Sequence, residues 1–222
     1  VGDQALLIPP RLILITDRTR LPGERFFEVV DAALGAGVDA VLLREPQLDS
    51  AKLLALASRL RLLTREHQAR LLVHTQADVA RAVNADGVHV SAAAIAEIPA
   101  MRNWLGDAQM SFSASCHGLA ELRLAYGQQA DFAMLSPVFP TNSHPGKPHL
   151  GVDRFKKIAA QSPLPVVALG GITPANRTEL GDYPVAAISA ILDADDPAVT
   201  AGELGAVATR GVNATLLGSA DV

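Results

Sequence analysis

Eight short apolar runs, each followed by a stretch with helical spacing, constrain the fold of this 222-residue chain more than any other feature. The runs fall at 12–15, 39–43, 71–73, 87–90, 110–113, 132–135, 165–169 and 185–188. They are continuous rather than alternating, as expected for parallel strands covered by helices. Between them, apolar residues return at three- and four-residue intervals. In 24–34 the apolar positions are Phe26, Phe27, Val30, Ala33 and Leu34, and Gly35 ends the pattern. Asp49 and Ser50 are suited to cap a long helix running to about Glu66. Further helical segments are predicted at 78–83, 94–104, 119–126 and 152–160, from Pro174, and after Asp195-Asp196-Pro197. Eight strand–helix units in a chain of this length predict one (β/α)8 TIM barrel, with an open doubly wound sheet as the alternative. The barrel domain is expected over 11–210, after a lead-in segment at 1–10 and before a disordered tail at 211–222.

Composition narrows the function classes. The content of 49% apolar and 19% charged residues is that of an ordinary globular protein. A net charge of -4, with no Lys/Arg-rich run, argues against a nucleic-acid surface. The single cysteine, Cys116, precludes an intrachain disulfide and fits a reducing cytoplasm. No stretch approaches the roughly 18 apolar residues of a membrane span, and there is no signal pattern, so a cytoplasmic protein without a membrane partner is expected. The chain begins at Val1, which fits either trimming or removal of a preceding domain.

In a barrel the chemistry sits at the C-terminal strand ends. Those positions carry Asp17, Arg44, Glu45, His74, Thr75, His89, Ser91, Ser113, Ser115, Cys116 and His117, then 136–144, Gly170, Gly171 and Ser189. The set is rich in hydroxyls and histidines and poor in carboxylates. Gly170-Gly171 with Ser189 lies where this fold recurrently binds phosphate, the bland alternative being a tight turn. The loop after 132–135 adds Thr141, Asn142, Ser143 and His144. Arg44 suits an anion through its planar fork, or is a solvated structural arginine. Cys116 and His117 are neighbours on an extended strand and point to opposite faces, which discounts a nucleophile–base pair. His89, inside an apolar run, reads as a packed, hydrogen-bonded histidine, and the histidines lack zinc-ligand spacing.

Leu43-Arg44-Glu45, Ala85-Asp86-Gly87-Val88-His89-Val90, Pro137-Val138-Phe139-Pro140-Thr141 and Ala168-Leu169-Gly170-Gly171-Ile172 resemble, in order and spacing, the thiamine phosphate synthase family. That family includes the TenI-like thiazole tautomerase branch. The resemblance covers about residues 11–200 and implies a (β/α)8 barrel. In the synthase branch, aminomethyl-pyrimidine diphosphate is joined to a thiazole phosphate and diphosphate is released. Mg2+ and lysines are expected to stabilise the departing diphosphate. Carried over by position, the family's Gln-x-Arg-Glu-Lys becomes Leu42-Leu43-Arg44-Glu45-Pro46, which keeps Arg and Glu but not Gln and Lys. The metal-site Asn-Asp falls on His74-Thr75, and the second metal aspartate on Ala94. Ser115 matches the serine after the fifth strand. The phosphate-binding Thr-x-Thr matches Thr141-Asn142-Ser143, with His144 in place of the following lysine. Gly171, Ile188 and Ser189 match the remaining phosphate positions. The resemblance thus implies a retained thiazole-phosphate half and a Mg-diphosphate half whose ligands are missing.

Segments 43–46, 114–117 and 136–146 are also similar to the barrel that follows a Nudix hydrolase domain in some bacterial fusion proteins, although this chain contains no Nudix box. Three functions follow as expectations. One is the synthase reaction with Arg44, Ser115, His74 and His144 as the catalytic set. The second is a metal-free isomerase of a thiazole phosphate, with His74, His117 or His144 as general base; the tautomerase branch's own histidine falls on Pro137. The third is a non-catalytic phosphate-ligand-binding domain. Expected partners are a small phosphate or diphosphate, with a Nudix domain or a second copy of the chain as further candidates.

Overall fold

The computed structural model describes residues 8–106, 109–141 and 148–206. Eight parallel strands close into a barrel in sequence order, β8 returning to β1. They are β1 (Leu12–Ile15), β2 (Ala40–Leu43), β3 (Arg70–His74), β4 (Gly87–Val90), β5 (Ser111–Cys116), β6 (Phe132–Leu135), β7 (Val166–Leu169) and β8 (Val185–Ala187). The helices are α1 (Arg25–Gly35), α2 (Ser50–Glu66), α3 (Ala77–Ala82), α4 (Ile98–Leu105), α5 (Leu119–Gly127), α6 (Val152–Ala159), α7 (Pro174–Arg177), α8 (Ser189–Leu192) and α9 (Pro197–Gly205). The expected barrel is therefore found. None of these helices is long and apolar enough to cross a membrane.

Most strands are apolar on both faces because both faces are buried. Ile13, Ile15, Leu42, Leu72, Phe132, Met134 and Val167 pack inside the barrel. Their alternates, such as Leu12, Leu14, Val41, Leu71 and Val73, pack outward against α1, α2 and the other helices. Cutting one such Leu to Ala removes contacts worth about 2–5 kcal/mol.

The N-terminal end of the barrel is latched by aspartates that the sequence patterns did not single out. Asp39, Asp86 and Asp131 each immediately precede an even strand. Each accepts an amide near the start of the preceding odd strand: Leu12 at 3.2 Å, Leu71 at 2.7 Å and Phe112 at 2.6 Å. Arg61 pairs with Asp86, and Arg102 with Asp131 at 2.7 Å. A buried amide left without an acceptor costs about 1–3 kcal/mol, so these carboxylates satisfy the strand entries. Two residues before each aspartate the chain turns through positive φ, at Gly37 (103°), Asn84 (50°) and Gln129 (63°).

Beyond shifts of one residue, four features differ from the sequence reading. β5 continues to Cys116 instead of stopping near 113, because Ser115 and Cys116 still pair with Met134 and Leu135 of β6. The stretch at 94–104 divides into a 3-10 segment, Ala92–Glu97, and α4, with Pro99 in the first turn of α4. β8 ends at Ala187, and Ile188 becomes the cap of α8. The last helical region is two helices, α8 and α9, where one was predicted, so nine α-helices rather than eight helical segments lie among the described residues. Asp49 caps α2 as predicted, its Oδ1 accepting from the Lys52 amide at 2.9 Å. Residues 1–7, which make up most of the lead-in, and the tail at 211–222 lie outside the described residues.

Candidate functional site

A cleft of about 570 Å³ opens over the C-terminal ends of β6, β7 and β8. Its lining includes Thr141, Gly171, Ile188 and Ser189, four of the residues predicted to hold phosphate. Asn142, Ser143 and His144 lie outside the described residues. The cleft exists because the chain leaving β6 crosses the end of β7. After a cis Ser136–Pro137 bond, the Val138 amide donates to the Leu169 carbonyl (2.9 Å) and the Phe139 amide to the Gly170 carbonyl (3.0 Å).

That crossing is what requires the two glycines. Gly170 and Gly171 have φ of 103° and 66°. A Cβ on Gly170 would lie 2.7 Å from Pro137 Cβ. One on Gly171 would collide with the Pro140 carbonyl oxygen and lie 2.8 Å from Phe139 Cβ. The glycine pair thus has a packing reason that the sequence reading, which set a ligand against a plain turn, did not separate. Gly171 serves both ends, since it also lines the cleft. Ser189 opens α8, and the amides of Ser189 and Ala190 precede the first intrahelical bonds of that helix. A short extra helix after the eighth strand is a recurrent phosphate-binding device of this fold.

Two further groups in the cleft escaped sequence reasoning or were weighed only lightly. Arg154 lines it from α6. It sits within a helix, where strand-end reasoning does not look. His117 also lines the cleft, and its Nδ1–H donates to the Ser136 carbonyl at 2.8 Å. A carbonyl can only accept, so neutral His117 carries its lone pair on Nε2.

Of the other predicted residues, Ser136 and Gly170 also line this cleft, whereas Arg44, Glu45, His74, Thr75, His89, Ser115 and Cys116 do not. Arg44 is exposed at the end of β2. His74 closes β3, its Nδ1 3.1 Å from Thr75 Oγ1. Burial, then the nearby Arg44 charge, holds His74 below the ordinary histidine range. Thr75 has φ of 59°, a conformation that β-branched residues rarely adopt. His89 is buried as the sequence suggested, 2.9 Å from both Ser113 Oγ and Ser115 Oγ. Burial, reinforced by His74 and Arg44, pushes its pKa down to about 3, so it is neutral. Glu45 is buried and occupied, accepting the Arg18 amide (3.0 Å) and Gln47 Nε2 (2.6 Å). Cys116 faces the helices, and burial, with Glu121 nearby, pushes its thiol up to about 12, too high for a nucleophile.

Residues 12–193 match the thiamine monophosphate synthase family. This chain belongs to that family. Among relatives of the thiamine monophosphate synthase family, it is 41% identical over 191 residues to a provisionally named thiamine-phosphate synthase of Geobacter sulfurreducens, covering 84% of this chain and 88% of that one. It is 32% identical over 207 residues to the thiamine-phosphate synthase of Chloroflexus aurantiacus, covering 91% and 94%. The solved thiamine phosphate pyrophosphorylase from Pyrococcus furiosus superposes with a TM-score of 0.75 at 33% identity, covering 87% of this chain and 93% of that one. A 3-keto-L-gulonate-6-phosphate decarboxylase from Vibrio cholerae, with a TM-score of 0.66 at 19% identity and coverage of 88% and 95%, shares the fold alone.

Proposed function

We propose that this barrel binds thiazole phosphate in the cleft over β6–β8 and joins it to aminomethyl-pyrimidine diphosphate, with the magnesium-diphosphate half of the site reduced. The observation that carries the proposal is the meeting of Thr141, Gly171, Ile188 and Ser189 around one cleft, with Arg154 beside them. Backbone amides near Gly171 and Ser189, a threonine hydroxyl and a guanidinium are complementary to a phosphate monoester.

The opposite half supports the reduced part of the reading. Mg2+ takes oxygen ligands, usually including one or two carboxylates. The positions that the family resemblance assigns to metal carboxylates hold Thr75 and Ala94. The Thr75 hydroxyl is engaged with His74, and Ala94 offers only a methyl group. Among the described residues, no group of three or more His, Cys, Asp or Glu side chains converges to hold a metal. These residues do not fit the ion. When the pyrimidine C–O bond breaks, the charge growing on the leaving diphosphate then falls to Arg44, since Pro46 and His144 stand where lysines are expected. Turnover by this route is slow.

Titration with thiazole phosphate and with pyrimidine diphosphate, each with and without Mg2+, tests the reading alongside an assay for thiamine phosphate. The expected result is thiazole phosphate binding that ignores Mg2+ and slow product formation that Mg2+ does not raise. Strongly Mg2+-dependent turnover overturns the reduced half, and absence of thiazole phosphate binding overturns the proposal itself. A second reading, isomerisation of a thiazole phosphate, is favoured by His117, whose Nε2 lone pair has no hydrogen-bond partner among the described residues and can act as a base at the cleft. Its mark is exchange of a ring-bound proton with solvent, lost in His117→Gln, without any pyrimidine substrate.

A further inference from the structure

The barrel interior is polar on one side only. Inward positions on β1, β2 and β6–β8 are Ile13, Ile15, Leu42, Phe132, Met134, Val167 and Ala186, all apolar. On β4 and β5 they are His89, Ser111, Ser113 and Ser115. Ser111 is satisfied locally, donating its hydroxyl to the Asp86 carbonyl at 2.9 Å. The other three form a chain, Ser113 Oγ to His89 Nδ1 and His89 Nε2 to Ser115 Oγ.

The direction of that chain follows from counting protons. Neutral imidazole has one N–H and one lone pair, and each serine has one O–H. Ser113 is buried, and among the described residues its hydroxyl bonds only to His89 Nδ1. Were Nδ1 the donor, the Ser113 proton would be shut in the barrel with no acceptor, at a cost of about 1–3 kcal/mol. Instead, Ser113 O–H donates to Nδ1, which puts the imidazole proton on Nε2 and makes Ser115 Oγ its acceptor. Every buried donor of Ser113 and His89 in this chain is then used. The one hydroxyl proton left over is that of Ser115, which is half-buried at the mouth end of β5.

We propose that Ser113 and His89 are positioning residues that present the Ser115 hydroxyl as a fixed hydrogen-bond donor toward the mouth. The β3–β5 side of the mouth is therefore built to face an acceptor atom, such as an unprotonated ring nitrogen or a phosphoryl oxygen, and to disfavour a donor there. The apolar alternative, packed as on the other strands, would close the barrel without the desolvation of three polar groups, so the chain spends stability to aim one proton. The charges of His74 and Arg44 both oppose protonation of His89.

The test is the tautomer itself, read on the full ligand-free chain, which keeps it separate from the function proposed above. In protein labelled with 15N-histidine, long-range nitrogen–proton correlation distinguishes a bare Nδ1 from a protonated one, and His89→Gln identifies the signal by its loss. Should that variant fail to fold, His67→Gln, His74→Gln, His117→Gln, His144→Gln and His149→Gln assign the signal by exclusion. The expected result is a bare Nδ1 and protonated Nε2, unchanged between pH 5 and pH 8. In Ser113→Ala the Nδ1 resonance moves toward the average of the two tautomers, and in Ser113→Thr it returns. A protonated Nδ1 in the parent protein, an imidazolium in that range, or a Ser113→Ala spectrum identical to the parent overturns the proposal.

Discussion

The two halves of the barrel mouth are built from different materials. Over β6–β8 main chain shapes the cleft, through the crossing of 137–140 over Gly170 and Gly171 and the start of α8, with Thr141, Arg154 and Ser189 in its lining. Over β2–β5 it is side chain: Arg44, His74, Thr75 and Ser115, stiffened by His89 and Ser113 beneath. Main-chain amides cannot be lost by a single substitution, whereas a carboxylate can be. The difference teaches why the half proposed to bind an anion can keep its geometry while the other lacks carboxylates at positions 75 and 94 in the same fold.

The sharpest way to break the first half is Gly171→Ala. The new Cβ meets the Pro140 carbonyl at a φ that side chains disfavour, so a loss of about 3 kcal/mol in denaturant unfolding is expected, with thiazole phosphate binding abolished. If calorimetry finds binding intact in this variant, the glycine end is not the anion site.

Acid tests the second half. The folded pKa of His89, about 3, lies below that of an unfolded histidine, so the unfolded chain binds more protons and stability rises with pH. His89 accordingly removes about 1 kcal/mol by pH 5.5 and more as pH falls toward 3, and is without effect well above 6.5. His74, whose pKa is lowered too, acts in the same direction. Stability measured against pH in His89→Gln loses this slope; an unaltered slope would mean that His89 titrates freely.

Ser189→Asp returns to the first half with a smaller, purely electrostatic change. Like charge beside the bound phosphate weakens thiazole phosphate binding by about 1 kcal/mol, roughly fivefold, while the melting temperature stays put. Equal affinity would place the anion elsewhere in the cleft. The smallest effect restores what the second half lacks. In the Thr75→Asp, Ala94→Asp double variant, millimolar Mg2+ is expected to add about 0.5–1 kcal/mol of stability that it does not add to the parent. A parent protein stabilised as much as the variant would return the ion to the native site.

Much of this molecule was readable before folding. Eight apolar runs separated by helical spacing led to the barrel, and Thr141, Gly171, Ile188 and Ser189 pointed to the rim where the cleft opens. Periodicity reports burial, and in a parallel barrel both strand faces are buried, so its architecture is written in local pattern. Arg154 was not legible, because nothing in a helix sequence tells which of its cations faces a cleft on the barrel rim. Nor was the latching role of Asp39, Asp86 and Asp131, each of which satisfies an amide 15 to 27 residues away in the chain.

By itself, then, the sequence determined the barrel, the exclusion of a disulfide and the absence of carboxylates at positions 75 and 94. Those are properties of residue type and spacing. Tertiary structure decided which polar groups meet: the four phosphate candidates on one cleft, Arg44, His74 and Ser115 away from it, and His89 held between two serines. Hydrogen bonds and close contacts between strands depend on register and approach to within an ångström, which only the closed barrel supplies. Gly170 and Gly171 mark the boundary between the two. Their presence was plain in the chain, but the reason for it, a loop passing too close for any Cβ, exists only once β6 and β7 lie side by side.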